Sequence, residues 1–242
     1  MREILGRRRK LRSRRTRGSA PAACPDLTHP IDQPDQPDQP DQPDLTGVAV
    51  AAVHRHWPVV PGARSDPAGP TGCGCPDPEC ALPGDHPADP GLLAATTDER
   101  MVRWWWSERP AAPVLLATGR GASAVSLPAV AAARALAALD RAGVATGPVL
   151  ATRDRWALLV APYSLPRLGE LLYAKDHVPG SLRFHGEGGY LLLPPSAKDA
   201  GRVRWERPPA ETPGGPALPE IGAVLDALVD TLNETGVNAT DL

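Results

Sequence analysis

The chain has 242 residues, the length of one large domain or two small ones. Its 30 prolines and 23 glycines are about 22% of the total, near the level where low-complexity chain sets in, and its aromatic residues are only six Trp, three Tyr and one Phe. So much proline excludes a helical bundle along the whole length, while 42% apolar residues exclude uniform disorder. The formal charge of −2 conceals an asymmetry. Residues 1–18 hold nine Lys/Arg and one acid, a charge of +8, and the remaining chain holds 17 basic and 27 acidic side chains, a charge of −10. A basic nucleic-acid binder by bulk charge is therefore excluded for the body, though not for the arm. The sequence contains no run of 18 apolar residues, so no transmembrane helix is expected. The arginines are not followed by an apolar stretch, unlike a secretory signal, and the Cys residues are clustered rather than spread as a disulfide framework. Together these features predict a cytoplasmic location.

The first element is the basic arm, residues 1–18, expected to be disordered. Residues 19–46 form a Pro/Asp-rich linker in which Asp-Gln-Pro occurs four times over residues 32–43. Proline at every third position and repeated Asp predict an extended, polyproline-like tether. Order is expected from about Thr46, where Val48, Ala49, Ala52, Val53 and His56 suit one face of a short helix. Trp57–Pro61 reads as a strand, and residues 62–90 as a Pro/Gly/Asp-rich loop carrying the Cys cluster. Thr96 and Glu99 have capping-box spacing, which opens a helix running to about Glu108.

Val114–Ala117 and Ala122–Leu127 read as short strands around a Gly119-Arg120-Gly121 turn, followed by an Ala-rich helix over Ala129–Ala142 that Gly143 stops. Trp156–Ala161 reads as a strand, and Ser164 caps a helix carrying Leu165, Leu168, Leu171 and Leu172. Arg183-Phe184, the Gly186–Gly189 turn and Tyr190–Leu193 resemble a β-hairpin. Residues 208–219 are a second linker. Over residues 220–235, Ile221, Val224, Leu225, Leu228, Val229 and Leu232 make a helical apolar stripe that must pack either on this domain or on a partner. Alternating helices and strands across 47–207 indicate an α/β or α+β domain of about 160 residues.

Three features can carry chemistry. Cys73, Cys75, Cys80 and His86 lie within fourteen residues, and three thiolates with one imidazole can enclose a tetrahedral Zn²⁺. Four protein ligands leave no open position, so such a zinc is structural; the alternative is three free thiols and a surface His. Cys24 lies apart, in the tether. In Trp104-Trp105-Trp106, successive helical residues point about 100° apart, so all three cannot face one core. Core packing and base stacking are both open to them. Around the glycine turn, Arg183, His185, Gly186, Gly188, Gly189 and Ser196 form a candidate phosphate-binding surface, since glycines let backbone approach a phosphate closely.

The order of these segments carries a resemblance. A Trp57-Pro58-Val59 strand is followed by the Cys/His knuckle with Gly84-Asp85-His86-Pro87. Next come Ala95-Thr96-Thr97-Asp98 before a Trp-rich helix, then Ala117-Thr118-Gly119, then Gly188-Gly189-Tyr190, Pro194-Pro195-Ser196 and Trp205. This resembles the N-terminal domain of bifunctional DNA primase/polymerases, in the archaeo-eukaryotic primase superfamily, over about residues 47–207. The resemblance implies an α/β core with an RRM-like mixed sheet flanked by helices, and template-directed nucleotidyl transfer with divalent metals held by carboxylates. It implies an Asp-x-Asp or Asp-x-Glu on the strand after Ala-Thr-Gly, a strand-borne His, and an Asp before the Arg of the last block. Here the strand reads Ser123-Ala124-Val125-Ser126-Leu127-Pro128, Trp156 stands near the His position and Ser181 at the Asp position, and no Asp or Glu occurs from Arg109 to Leu139. Two Mg²⁺ or Mn²⁺ ions need several oxygen ligands and negative charge, and Asp154 and Glu187 are the nearest acids by motif position.

The resulting expectation is a primase/polymerase-like domain that has lost catalysis and serves as a nucleic-acid- or nucleotide-binding, or regulatory, protein. One alternative is an active nucleotidyltransferase with relocated metal ligands. The other is a protein-interaction adaptor that uses residues 220–235. No membrane partner is expected.

Overall fold

The computed structural model describes residues 43–66, 68, 72–198, 201–210 and 217–235. The basic arm, the repeat tether through residue 42, Cys24 and residues 211–216 of the second linker lie outside the described residues.

The first helix, α1 (Leu45–His54), starts where the Asp44 carboxylate accepts the Gly47 amide at 2.8 Å. Strand β1 is Val59–Pro61, and a short 3₁₀ turn at Leu92–Ala94 leads to α2 (Glu99–Glu108). The N-cap of α2 is Asp98, whose Oδ1 accepts from Arg100 and Met101, rather than the predicted Thr96. The Thr96 hydroxyl instead accepts the Asp98 amide at 3.0 Å and so fixes the cap itself. Strands β2 (Val114–Ala117) and β3 (Ser123–Pro128) follow, then α3 (Ala129–Arg141), β4 (Val149–Ala151) and β5 (Arg155–Val160). Helix α4 (Leu165–Tyr173) begins where Ser164 Oγ accepts the Arg167 amide. Strands β6 (Arg183–His185), β7 (Tyr190–Leu192), β8 (Ala197–Lys198), β9 (Gly201–Arg202) and β10 (Arg204–Arg207) precede α5 (Ile221–Thr235).

These strands make a three-stranded sheet, β1-β2-β7, a five-stranded sheet, β10-β4-β5-β3-β6, and the small β8-β9 ribbon. Every pairing among the described strands is antiparallel, so the expected α/β class takes its α+β form and the sheets are not mixed. The predicted β6-β7 hairpin is not formed: β6 pairs with β3 in the large sheet, and β7 pairs with β2 in the small one. The glycine turn is therefore a crossing between sheets, and the Thr118–Ala122 turn is a second crossing between the same two sheets.

The two crossings are hydrogen-bonded to each other. Thr118 Oγ1 donates to the Gly186 carbonyl at 2.6 Å, and the Thr118 amide donates to the Gly189 carbonyl at 2.9 Å. Gly119 sits at φ +104°, in the region that favours glycine, and a Cβ there would collide with the Glu187 backbone. The Ala-Thr-Gly and Gly-Gly-Tyr segments of the sequence are thus two halves of one joint.

Both faces of the large sheet contribute to apolar cores. Ala124, Leu150, Ala157 and Leu159 pack in a core shared with α1, α2 and the small sheet, where Trp57 and Trp205 lie 6.5 Å apart between ring centroids. Val125, Leu127, Val149, Leu158 and Val160 face the opposite way, into a core with α3 and α5. Of the tryptophan triplet, Trp105 and Trp106 are buried and the Trp106 indole donates to the Ala112 carbonyl at 2.9 Å, whereas Trp104 is 57% exposed. The stripe on α5 packs on this domain, with Ile221, Val224, Leu225, Leu228, Val229 and Leu232 all buried. Its apolar face is thereby used within the chain, which removes the surface that the adaptor expectation required.

Leu225→Ala is expected to destabilise the domain by about 2–5 kcal/mol in urea denaturation, because it leaves a cavity between α5 and α3. Val130→Ala, at a position 63% exposed on α3, is expected to change stability by less than about 0.5 kcal/mol.

Candidate functional site

A cavity of about 560 Å³ opens on the side of the large sheet that faces the small one. Strand alternation decides what lines it. In β3, Ser126 lies opposite Arg183 of β6 and Ala157 of β5, and Ala124 lies opposite His185. Ser126, Arg183 and His185 therefore share a face with Arg155 and Ala157. Tyr190, Leu191 and Leu192 enter from β7, Gly201, Arg202 and Val203 from the β9 end, Thr152–Ala157 from the β4-β5 turn, and Leu82 and Asp85 from the Cys/His loop.

Among the phosphate-binding candidates, Arg183, His185 and Gly189 line this cleft. Gly186, Gly188 and Ser196 do not. The Gly186 carbonyl is taken by Thr118, Gly188 is exposed at φ +82° in the turn, and Ser196 is buried with its Oγ accepting the Val114 amide at 3.1 Å. Ser196 therefore secures the start of β2, the central strand of the small sheet. Of the two candidate acids, Asp154 borders the cleft at the tip of the β4-β5 turn, where its carbonyl accepts the Ala129 amide. Glu187 is outside the lining and exposed, and its backbone packs on Gly119. Trp156 borders the cleft, but its ring packs against the α3-α5 core with the Arg204 guanidinium 5.8 Å above it.

Sequence reasoning passed over the central side chain, Arg155. Its Nη2 donates to the Ser126 carbonyl at 2.9 Å and the Ser181 carbonyl at 2.6 Å, while Nε and Nη1 are buried without a hydrogen-bond partner. Burial and the neighbouring Arg183 lower its pKa to about 10, so it stays charged at neutral pH. Ser126 Oγ and His185 Nε2 share a hydrogen bond of 2.9 Å. Burial first, then the charges of Arg155 and Arg183, push the His185 pKa down to about 4, so the imidazole is neutral at physiological pH. The signal for Arg155 was its spacing: it is two residues before Ala157 and so on the same face of the strand.

The second cluster is the knuckle. The ligand atoms of Cys73, Cys75, Cys80 and His86 all lie within 4.8 Å of one another, a group that could hold a metal ion. His86 Nε2 is 3.4 Å from both Cys73 Sγ and Cys80 Sγ. His86 Nδ1 lies 2.7 Å from the Pro87 carbonyl, which can only accept, so Nδ1 carries an N–H and Nε2 faces the sulfurs. Burial raises the Cys73 thiol, but the Gly84 and Cys75 amides and hydrogen bonds with His86 and Cys75 bring it down to about 6. The Cys80 pKa rises to about 11, through burial and then its two neighbouring thiols. Such a paired arrangement of thiol and thiolate matches zinc chemistry, because each sulfur must be deprotonated to bind and a divalent ion supplies the compensating charge.

Two outcomes follow from this geometry. Because His185 is neutral in the fold but titrates at 6.5 when unfolded, the unfolded chain takes up the extra proton as pH falls. Stability present above pH 6.5 should be lost towards pH 4, and His185→Gln should flatten that slope in denaturation curves taken across the window. For the knuckle, metal analysis of the purified protein should find one zinc per chain. Its removal by chelation, or the Cys80→Ser substitution, should lower the Tm by several degrees.

A sequence model of one family, described as bifunctional DNA primase/polymerase, N-terminal, matches residues 49–215. A search of curated proteins finds no match. The matched span holds both sheets, the knuckle and the whole cleft, and it covers most of the chain. The chain belongs to the bifunctional DNA primase/polymerase N-terminal domain family.

Proposed function

We propose that this family member is catalytically silent and uses its cleft to bind the phosphates of nucleotides or nucleic acid. What supports this reading is the charge of the lining: Arg153, Arg155, Arg183 and Arg202 are set against Asp85 and Asp154. Two-metal nucleotidyl transfer requires several carboxylate oxygens around the ions. The strand that would present them, β3, offers serine and alanine on its cleft-side face.

In the same reading, the knuckle holds a structural zinc whose ligands leave no open position for catalysis. The basic arm, residues 1–18, adds salt-dependent phosphate contacts. The folded body opens with α1 at Leu45, ahead of the expected start at 47, and takes in the helix Ile221–Thr235. Reduced thiols at the knuckle fit a cytoplasmic protein. Among the described residues no helix is long and apolar enough to cross a membrane.

The test is primer synthesis and primer extension by the purified protein with Mg²⁺ or Mn²⁺, alongside nucleotide and oligonucleotide binding. The expected result is binding without extension. Extension that disappears in Asp154→Asn or Glu187→Gln would establish the alternative, an enzyme with relocated ligands.

A further inference from the structure

The cleft floor has an unusual electrostatic composition. Arg183 lies close enough to act on Arg155, and neither makes an ion pair among the described residues. Two nitrogens of Arg155 are buried without partners. A buried guanidinium with unused donors is costly unless a ligand supplies acceptors and charge. Phosphate oxygens are acceptors that carry such charge, and a guanidinium donor to phosphate makes one of the stronger hydrogen bonds. The groups it already touches are the carbonyls of Ser126 and Ser181, so Nη2 is braced by neutral backbone while Nε and Nη1 keep unused donors.

We propose that Arg155 is the fixed cation of this cleft, and that the cleft takes a nucleoside polyphosphate as the bare anion, without a divalent metal ion. The inference rests on the phosphate-binding reading above and deepens it by naming the ligand and its charge state. A divalent ion entering with the phosphates would meet two guanidinium groups and no carboxylate on the β3, β5 or β6 positions that form the floor. Arg155 and Arg183 supply, as part of the protein, the positive charge that such an ion would bring. The volume suits a small ligand rather than a duplex, since about 560 Å³ lies within the usual range of small-molecule pockets of roughly 300–1,000 Å³. Leu150, Leu192 and Val203 add an apolar wall beside the arginines, matching a ligand with an uncharged base and sugar at one end and phosphates at the other.

Titration calorimetry on the full chain tests this with ATP and inorganic tripolyphosphate, in buffer freed of metal by a chelating resin and in the same buffer with millimolar Mg²⁺. Soluble chelators are avoided because they would strip the knuckle. ATP is expected to bind at least as tightly without Mg²⁺ as with it, and tripolyphosphate to compete. Arg155→Met is expected to weaken ATP at least tenfold. Ser126→Asp keeps the arginine but sets a carboxylate beside it, and is expected to cause a similar loss in a protein whose melting temperature is retained. ATP binding that requires Mg²⁺, or that survives Ser126→Asp unchanged, overturns the inference and leaves the phosphate-binding reading standing. An oligonucleotide that binds where ATP does not overturns it in favour of nucleic acid, and absence of binding by every probe removes both.

Discussion

The joint between Thr118–Gly119 and Gly186–Gly189 sets the geometry of everything around it. Each side of the joint is a strand-to-strand crossing from one sheet to the other, and the two are fixed by the Thr118 hydroxyl and amide on the Gly186 and Gly189 carbonyls. With the crossings locked, β2 must pair with β7 and β3 with β6, so a cleft opens where the two sheets diverge. His185 leaves the joint on the large sheet and Tyr190 on the small one, each four residues or fewer from the shared turn. The Tyr190 hydroxyl then donates to the Asp85 carbonyl at 2.9 Å, which ties the knuckle loop to the same framework. The Cys/His knuckle and the cleft are thereby neighbours in one framework, although Asp85 and Tyr190 are 105 residues apart along the chain.

The cleft shows how burial and charge together select protonation states. Burial first, and then the nearby Arg183, lower the affinity of Arg155 for its proton, yet a guanidinium lowered to about 10 is still a cation at neutral pH. The same field acts on His185 with a different result, because an imidazole begins near 6.5 and a downward push leaves it neutral. The floor is consequently two permanent positive charges beside one neutral imidazole that is hydrogen-bonded to Ser126. Adding a third charge at His185 would require protonating it against both arginines.

Much of the fold was legible in the sequence because its signals are local. Ser164, Gly143 and the six-residue stripe of the last helix each act within a turn or two of chain, and each marks its element correctly. The grouping of the four knuckle side chains was legible for the same reason, since fourteen residues of loop suffice to bring them together. What could not be read was partnership. Arg183–His185 and Tyr190–Leu192, on either side of a glycine turn, have the local pattern of a hairpin; only the distant β2 and β3 edges decide that they separate. Arg155 was missed because its importance depends on Ser126 and Ser181, 29 and 26 residues away. Thr96 was one step from the truth: its hydroxyl holds the amide of the real cap, Asp98, and so leaves the same spacing in the sequence as a capping box.

The last helix has a bearing on where this protein can be cut. The family match ends at residue 215, but the core beneath α3 continues to Leu232. A fragment trimmed to the shared family region would keep every residue of the cleft and the knuckle, yet would bare the faces of Ala132, Ala135 and Leu139 that α5 now helps to cover. Such a fragment would present a sticky hydrophobic seam to its own copies. Common ancestry and self-sufficient folding therefore have different endpoints in this chain, separated by a single amphipathic helix.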